Sequence, residues 1–200
     1  NFAILSPTIF HNNSYIVEGD YKTLKIHKNK YRETGKIKFN SHYKNPPEGD
    51  LSVDSVTGTA MLIDRDKLKL INDWDTNIFN YFEDMDLCLR FRLKGFEIIK
   101  IRNAEVDHDA FSSHDKNFSQ KMDFSRNWHH SWSRFYFLKK HTTKINAYKY
   151  GLNFFIKSIF KSIFYIFFKK SKAITHFAKA YGTLFSILNL QPTYRPKIKT

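Results

Sequence analysis

The sequence predicts an α/β fold followed by amphipathic C-terminal helices. Up to about residue 122, short apolar runs bounded by turn residues alternate with segments of helical periodicity, which is the pattern of an α/β domain. From residue 123 onward the chain is rich in aromatic and basic residues, and its apolar positions recur at helical spacing. We therefore expect two parts, residues 1–122 and residues 123–200.

Two segments of the first part are expected to form strands. Residues 2–9 (FAILSPTI) are typical of a buried strand that ends at the turn signal of Ser6 and Pro7. Residues 52–64 (SVDSVTGTAMLID) are the best strand candidate, because valines and a continuous apolar run lie on either side of Gly58.

The segments around these strands are assigned from turn and cap signals. Residues 15–44, which include KIKF at 36–39, suggest strands or a long excursion, and NPPEGD at 45–50 predicts a loop. RDKLKLI at 65–71 predicts a short helix. The Asp-Arg-Asp at its start is best explained as a helix cap headed by Asp64.

The segment EDMDLCLRFRLKG, residues 83–95, predicts a second helix. Acidic residues fill its first turn and basic residues its last, as the helix dipole favours, and Gly95 is a natural C-terminal stop. Residues 96–101 (FEIIKI) then predict a strand that leads into a polar loop. The expected core contacts of this region are Met85, Leu89 and Phe96.

Three acids, Glu83, Asp84 and Asp86, lie within four positions at the start of this helix, directly after a run of aromatic residues. Two explanations are open. In the first, the acids cap the helix and Asp86 forms an i, i+4 ion pair with Arg90. In the second, partial desolvation beside the aromatic loop raises the pKa of Asp84, and the helix start holds its carboxylate as a general base. The chemistry of these residues alone does not separate the two explanations.

The formal net charge of +14 is concentrated at the end of the chain. From Phe124 to Thr200 there are 15 Lys and Arg residues and no Asp or Glu, whereas residues 1–123 carry a net charge of −1. Such a basic segment is typical of proteins that bind nucleic acid or an anionic membrane surface. The only cysteine is Cys88, which excludes an internal disulfide and a cysteine-based zinc site and fits a reducing compartment.

Residues 123–140 and 150–170 are both expected to be helical. In the second segment almost every residue outside one narrow stripe is Phe, Ile, Leu or Tyr. The stripe consists of Lys157, Ser158, Lys161, Ser162 and Lys169. This pattern predicts a helix in the headgroup plane of a membrane, with a core helix that has a solvated edge as the alternative. The lysines argue against a spanning helix, and uninterrupted aromatic residues disfavour nucleic acid as the partner.

The acidic segment belongs to a longer pattern. A small-residue strand (VTGTAMLI) and an aromatic loop with DWD precede YFEDMDLCLRFRLKGF, and a strand and AEVDHDAFSSH follow it. From residue 2 to residue 140 this order resembles the C-terminal half of family 2 glycosyltransferases, the inverting GT-A enzymes, and especially their rhamnosyltransferase-like branch. The block F-x-Y-x-E-D-x-D-L-x-x-R-x-x-x-x-G is complete from Phe79 to Gly95, and the histidine after the next strand is His108.

The resemblance implies a Rossmann-like GT-A domain that transfers a sugar, with inversion, from a nucleotide-sugar donor to a saccharide or lipid-linked acceptor. It makes Asp84 the general base that deprotonates the acceptor hydroxyl. Glu83 and Asp86 match the flanking acids that position this base or bind acceptor hydroxyls. Arg90 matches the arginine that pairs with the acid group.

The resemblance also implies substrate and metal contacts. Gly58 and Thr59 match a strand edge beside the donor sugar, where small side chains leave room. Trp74 and Ser112 are further candidate substrate-binding residues, although a polar loop explains Ser112 equally well. His108 matches a ligand of Mg²⁺ or Mn²⁺ at the donor diphosphate; a hydrogen bond to a neighbouring aspartate is its alternative.

The nucleotide-binding half of the family, with its metal-holding Asp-x-Asp, should precede Phe2. We therefore expect a C-terminal piece of a longer enzyme, with an incomplete metal site and little activity alone. The intact enzyme is expected to act in surface polysaccharide synthesis, peripheral at the cytoplasmic face of the cell membrane. The alternative is a non-catalytic module that binds membranes or polyanions and whose acids only cap a helix.

Overall fold

The computed structural model describes residues 1–11, 14–16, 24–27, 30–33, 48–109 and 118–196. The chain divides into two compact units. Unit 1 comprises Asn1–Asp75 and Glu83–Ser112, and unit 2 comprises Thr76–Phe82 and Ser113–Thr200. Strands and helices are both present, so the predicted α/β class is confirmed. The GT-A assignment and the domain boundary at residue 122 stay predictions, and KIKF lies outside the described residues.

Unit 1 is built on a mixed sheet of five strands with the order β2-β1-β7-β5, in which β6 also pairs with β1. The strands are β1 (Phe2–His11), β2 (Ser14–Ile16), β3 (Leu24–His27), β4 (Lys30–Glu33), β5 (Leu51–Val53), β6 (Leu62–Ile63) and β7 (Glu97–Asp107). β1 and β7 run parallel, and the other pairs in this sheet are antiparallel. β3 and β4 form a separate two-stranded antiparallel sheet.

Strand β1 does not end at the turn signal of Ser6 and Pro7, as was predicted, but continues through it. Its register with β7 shifts between Pro7, which pairs with Ile101, and Thr8, which pairs with Glu105. Such an irregularity accommodates proline, because proline has no N–H to donate to the sheet. Pairing resumes beyond the shift, so β7 also extends past its predicted end into the expected polar loop.

Residues 52–64 form two short strands, β5 and β6, and the prediction of one continuous strand is wrong. The intervening loop contains Val56, whose side chain is buried in the core of unit 1. It also contains Gly58, whose N–H donates to the carboxylate of Asp84. Apolar residues predicted a strand here, but the backbone N–H of Gly58 bonds to a side chain and not to a neighbouring strand.

Two helices of unit 1 agree with the sequence predictions, α1 (Arg65–Leu70) and α2 (Glu83–Leu93). Asp64 caps α1, since its Oδ1 accepts hydrogen bonds from the N–H groups of Asp66 at 3.0 Å and Lys67 at 3.1 Å. The cap interpretation of this Asp-x-Asp is thereby confirmed. Gly95 follows α2 with a φ of 83°, the left-handed conformation expected of a glycine that ends a helix.

The core of unit 1 joins α2 to the central strands. Its buried residues are Ala3, Ile4, Val56, Ile71, Leu87, Cys88, Phe91 and Ile98. Met85 and Leu89 are buried as predicted, and Phe96 packs against the cluster. Phe91, which is fully buried, was not predicted. Burial raises the pKa of the Cys88 thiol to about 12, so this cysteine is an inert core residue.

Unit 2 contains three long helices, α3 (Ser119–His141), α4 (Lys144–Ile166) and α5 (Lys170–Ile187). The helix predicted over 123–140 is confirmed by α3. The helix predicted over 150–170 is confirmed as far as Ile166, where α4 ends, and Lys169 of the predicted stripe is the N-cap of α5 instead. Helix α5 packs against both α3 and α4. Within the described residues, no helix is long and apolar enough to span a membrane.

The packing of α4 reverses the usual arrangement of large and small side chains. Its buried residues are all small: Ala147, Gly151, Ser158 and Ser162. The hydroxyl of Ser162 donates to the carbonyl of Ala173 on α5 at 3.0 Å. The two serines therefore belong to the inner face of α4. The prediction that they lie in one narrow stripe with the lysines is wrong. Small residues allow two helices to approach closely, and the large apolar residues are left outside.

Candidate active site

Asp84 presents a carboxylate that backbone N–H groups hold at both oxygens. Its Oδ2 accepts a hydrogen bond from Gly58 at 2.9 Å, and its Oδ1 accepts one from Met85 at 2.7 Å. The side chain of Asp84 is partly exposed, whereas Met85 and Asp86 are buried. The loop after β5 and the first turn of α2 therefore fix an accessible carboxylate in one orientation.

Asp86 and Arg90 form the predicted i, i+4 ion pair. The Nε of Arg90 donates to Oδ2 of Asp86 at 2.8 Å, and Asp86 is fully buried. The Nη1 of Arg90 donates to the carbonyls of Ile71 and Asp73, each at 2.6 Å. A buried charge is stable only when it is paired and hydrogen-bonded, as this one is. Full burial favours a positioning role for Asp86 over contact with an acceptor hydroxyl.

The carbonyl partners of Arg90 could not be found from residue identity, since every residue carries a carbonyl. The loop that presents them bends through Asn72 and Asp73, which have φ values of 60° and 55°. Asn and Asp are the non-glycine residues that most readily adopt this left-handed conformation. The dipeptide Asn72-Asp73 was the sequence feature that could have indicated this bend.

Glu83 has an electrostatic environment unlike that of its neighbours. Burial raises the pKa of Glu83, and the nearby charge of Asp84 raises it further. Within the described residues, its buried Oε2 has no hydrogen-bond partner. A carboxyl group in these surroundings holds its proton to a higher pH than an exposed glutamate.

The chain enters α2 through strained backbone. Tyr81 and Phe82, which belong to unit 2, have φ values of 65° and 67°. Bulky residues in this conformation cost about 1–3 kcal/mol each, and such strain is concentrated at functional sites. Within unit 2, the Phe82 ring packs on Phe137 at 5.5 Å and on His130 at 5.2 Å, which helps to hold this conformation.

The structure brings together only some of the residues that were predicted to bind substrate. Gly58 lies in a turn, not on a strand edge, and a Cβ placed there would be 3.9 Å from Oδ2 of Asp84. The hydroxyls of Thr57 and Thr59 lie 3.3 Å apart in the same loop. Trp74 is exposed. Gly58 and Asp84 are thus brought together, whereas Ser112 lies outside the described residues.

His108 follows β7, and its backbone N–H donates to the carbonyl of Phe10 at 2.8 Å. In the part of the chain that the structure describes, no group of three or more His, Cys, Asp or Glu residues is arranged to hold a metal ion. His108 and its described neighbours therefore do not make a metal site by themselves. The Mg²⁺ or Mn²⁺ stays a prediction, and the chemistry derived below does not use it.

Comparisons with protein-family models, with curated proteins and with solved structures found no match to this chain. The resemblance to family 2 glycosyltransferases consequently rests on the residues quoted above.

Proposed function

We propose that this chain is the acceptor-side half of an inverting glycosyltransferase, with Asp84 as its general base. The observation that carries the proposal is the partly exposed Asp84 carboxylate, oriented by the N–H groups of Gly58 and Met85. A helix that only needed a cap would not require a glycine turn 26 positions away to bind the same side chain. The buried pair of Asp86 and Arg90 supports the proposal, because it fixes the turn of α2 that carries the base.

In the proposed reaction an acceptor hydroxyl gives its proton to the carboxylate of Asp84. The acceptor oxygen then forms a bond to the anomeric carbon of the donor sugar while the bond from that carbon to the nucleoside diphosphate breaks. Attack from the face opposite the leaving group inverts the configuration. A positioned carboxylate base contributes about 10²–10⁴-fold to such a step.

The test is Asp84→Asn in the full-length protein. The substitution keeps the size of the side chain but removes the base, so sugar transfer should fall by about 10²–10⁴-fold. Release of nucleoside diphosphate would be measured from a panel of uridine, guanosine and thymidine diphosphate sugars, with a membrane extract as acceptor.

Asp66→Asn is the matched control, because Asp66 is an exposed acid whose carboxylate pairs with Lys69 on the surface of α1. It should leave transfer unchanged. If Asp84→Asn retained wild-type transfer together with a wild-type circular dichroism spectrum, Asp84 would not be the base and the proposal would be wrong.

Unit 2 supports a location of this enzyme at an anionic membrane surface. Its helix α4 leaves large apolar side chains exposed, among them Phe160 at 69% and Phe164 at 58%, and Phe168 follows at 73%. Lysines lie on the same helix, and no acid occurs after Asp123. These features would equally serve the alternative, a non-catalytic membrane-binding module. The Asp84 experiment distinguishes the two functions.

A further inference from the structure

The loop of residues 76–82, which we call the entry loop, leads the chain into α2 and contacts α3 within unit 2. Its Phe79 ring lies 4.9 Å from the ring of His129. One residue later, the carbonyl of Asn80 accepts a hydrogen bond from the hydroxyl of Ser133 at 2.7 Å, and Ser133 is fully buried. The loop is therefore fixed immediately before the two residues with left-handed backbone.

Residues 190–195, which follow α5 in unit 2, hold the entry loop as well. The guanidinium of Arg195 lies 3.5 Å from the centre of the Phe79 ring. The face of an aromatic ring attracts a cation at this distance. Nη1 of Arg195 also donates to the carbonyls of Pro192 at 3.0 Å and Tyr194 at 2.7 Å, so the guanidinium is fixed over the ring.

Residues 190–195 form neither a helix nor a strand, and side chains of α3 hold them in place. Nε1 of Trp132 donates to the carbonyl of Leu190 at 2.8 Å, and Nε2 of His129 lies 2.9 Å from the carbonyl oxygen of Tyr194. A carbonyl oxygen only accepts, so Nε2 of His129 carries the hydrogen. Since this histidine also contacts the entry loop, both segments meet on one side chain of α3.

These contacts explain how the entry loop keeps an unfavourable backbone. Tyr81 and Phe82 have φ values of 65° and 67°, which bulky side chains rarely adopt. Such a conformation persists only where the surrounding structure holds it. The next residues are Glu83 and Asp84, so relaxation at Phe82 would disturb the first turn of α2.

We propose that Arg195 is a positioning residue, and that residues 190–195 are a strap that keeps the entry loop in its strained conformation. The strap is a property of unit 2 and does not depend on any reaction. Its consequence for catalysis rests on the proposed function. A relaxed entry loop would misplace the Asp84 carboxylate and slow the proton transfer, whereas binding of the donor sugar would be unchanged.

Hydrogen exchange of the full-length protein, followed by mass spectrometry of peptides that cover residues 76–85, tests the strap. Arg195→Ala should speed exchange of these peptides about fivefold, because the loop loses a cation held over its ring. Phe79→Leu removes the other partner of this contact and should have a similar effect. Phe79→Tyr keeps the ring face and should exchange as the wild type does.

The double variant Arg195→Ala/Phe79→Leu shows whether the two residues act through one contact. Its exchange should be no faster than that of the more strongly affected single variant, since both substitutions remove the same interaction. Arg126→Ala is the matched control, because it removes another arginine of unit 2, whose guanidinium pairs with Asp123 at 3.1 Å. It should leave exchange of the entry loop unchanged.

The consequence for catalysis is measured with the nucleoside diphosphate assay used for Asp84. Arg195→Ala should lower kcat about fivefold and leave the KM for the donor unchanged. Phe79→Leu should do the same, and Phe79→Tyr should restore wild-type kcat. A variant that was merely less stable would lose activity in proportion to its unfolded fraction, which urea titration quantifies.

The strap is overturned if Arg195→Ala and Phe79→Leu leave exchange of the entry loop at the wild-type rate, or if their effects multiply in the double variant. Faster exchange with an unchanged kcat would support the strap and overturn its role in catalysis. If Asp84→Asn retained full transfer, the proposed function would fail, and hydrogen exchange would still decide whether the strap exists.

Discussion

Asp84 and Asp86 are two positions apart, yet their surroundings give them opposite properties. Asp84 is partly exposed and oriented by two backbone N–H groups, which suits a group that exchanges protons with a substrate. Asp86 is fully buried and paired with Arg90, and removing one partner of such a pair costs about 3–5 kcal/mol. The period of the helix decides this difference, because it turns Asp84 outward and Asp86 inward.

Glu83→Gln is expected to change the pH dependence of stability. Burial raises the pKa of Glu83 above its ordinary value of 4.5, so the folded protein binds more protons than the unfolded chain above that pH. Wild-type stability should therefore fall, relative to the variant, as the pH rises from 4.5 through the raised folded value. Free energies of unfolding from urea titrations between pH 4 and pH 8 measure this difference.

Glu97→Gln is the control for this titration, since Glu97 is an exposed acid on the first residue of β7. Subtracting the pH profile of Glu97→Gln from that of Glu83→Gln leaves the part of the pH dependence that belongs to the position of Glu83. If the difference in free energy of unfolding between Glu83→Gln and the wild type stayed constant from pH 4 to pH 8, burial would not raise the pKa of Glu83 and the prediction would be wrong.

At the scale of helices, unit 2 depends on close backbone contact. A Cβ added at Gly182 of α5 would lie 2.1 Å from the carbonyl oxygen of Trp128 on α3, and one added at Gly151 of α4 would lie 2.4 Å from the Phe135 ring. Real Cβ atoms do not approach other atoms so closely. The helices could reach this separation only with glycine at both crossings.

Gly182→Ala should therefore destabilise the protein by about 1–3 kcal/mol, the usual cost of overpacking. The direction of this change in stability is informative, because alanine in an unobstructed helix interior is favoured over glycine by about 1 kcal/mol. Thermal unfolding should show a melting temperature lower by several degrees. Gly49→Ala, where a Cβ would meet nothing within 4 Å, should leave the melting temperature nearly unchanged. A variant at Gly182 as stable as the wild type would refute this account of the helix crossing.

At the scale of the whole molecule, charge and exposed apolar surface are both concentrated in unit 2. The chain carries a net charge of +14, and its last acid is Asp123. The exposed apolar residues of α4 and the segment after it are Ile145, Leu152, Ile156, Phe160, Ile163, Phe164, Ile166, Phe167 and Phe168. A membrane surface with anionic lipids would satisfy both properties, the charges through headgroups and the apolar face through the acyl boundary.

The double variant Phe160→Ser/Phe164→Ser should bind vesicles of phosphatidylglycerol and phosphatidylcholine more weakly by about tenfold or more, because it loses apolar area that would be buried. Binding of the wild type should also fall between 0.1 M and 1 M NaCl, as the Debye length shrinks from about 10 Å to 3 Å. Cosedimentation with the vesicles measures both effects.

The control for the vesicle experiment is Leu62→Ser/Leu70→Ser, which removes two exposed leucines of unit 1. These substitutions should not change cosedimentation. Equal binding by the Phe160/Phe164 variant and the wild type would show that the α4 face does not contact the membrane, whatever the effect of salt.

The sequence by itself determined the features that depend on neighbours along the chain. Helical periodicity, the cap at Asp64, the stop at Gly95 and the ion pair of Asp86 with Arg90 are interactions within a few residues, and each is present as predicted. The acid cluster was recognised for the same reason, since its members lie within one helical turn.

Only the tertiary structure decided the features that depend on distant parts of the chain. Pairing with β7 continues β1 beyond Pro7, where the sequence predicted that the strand would end. The N–H of Gly58 donates to Asp84 and not to a neighbouring strand, although the apolar residues around Gly58 predicted one continuous strand. The inner face of α4 was also decided by its partner α5, which selects small residues for a close approach. Local patterns show which residues are apolar or charged. The partner that each residue meets is fixed by long-range packing.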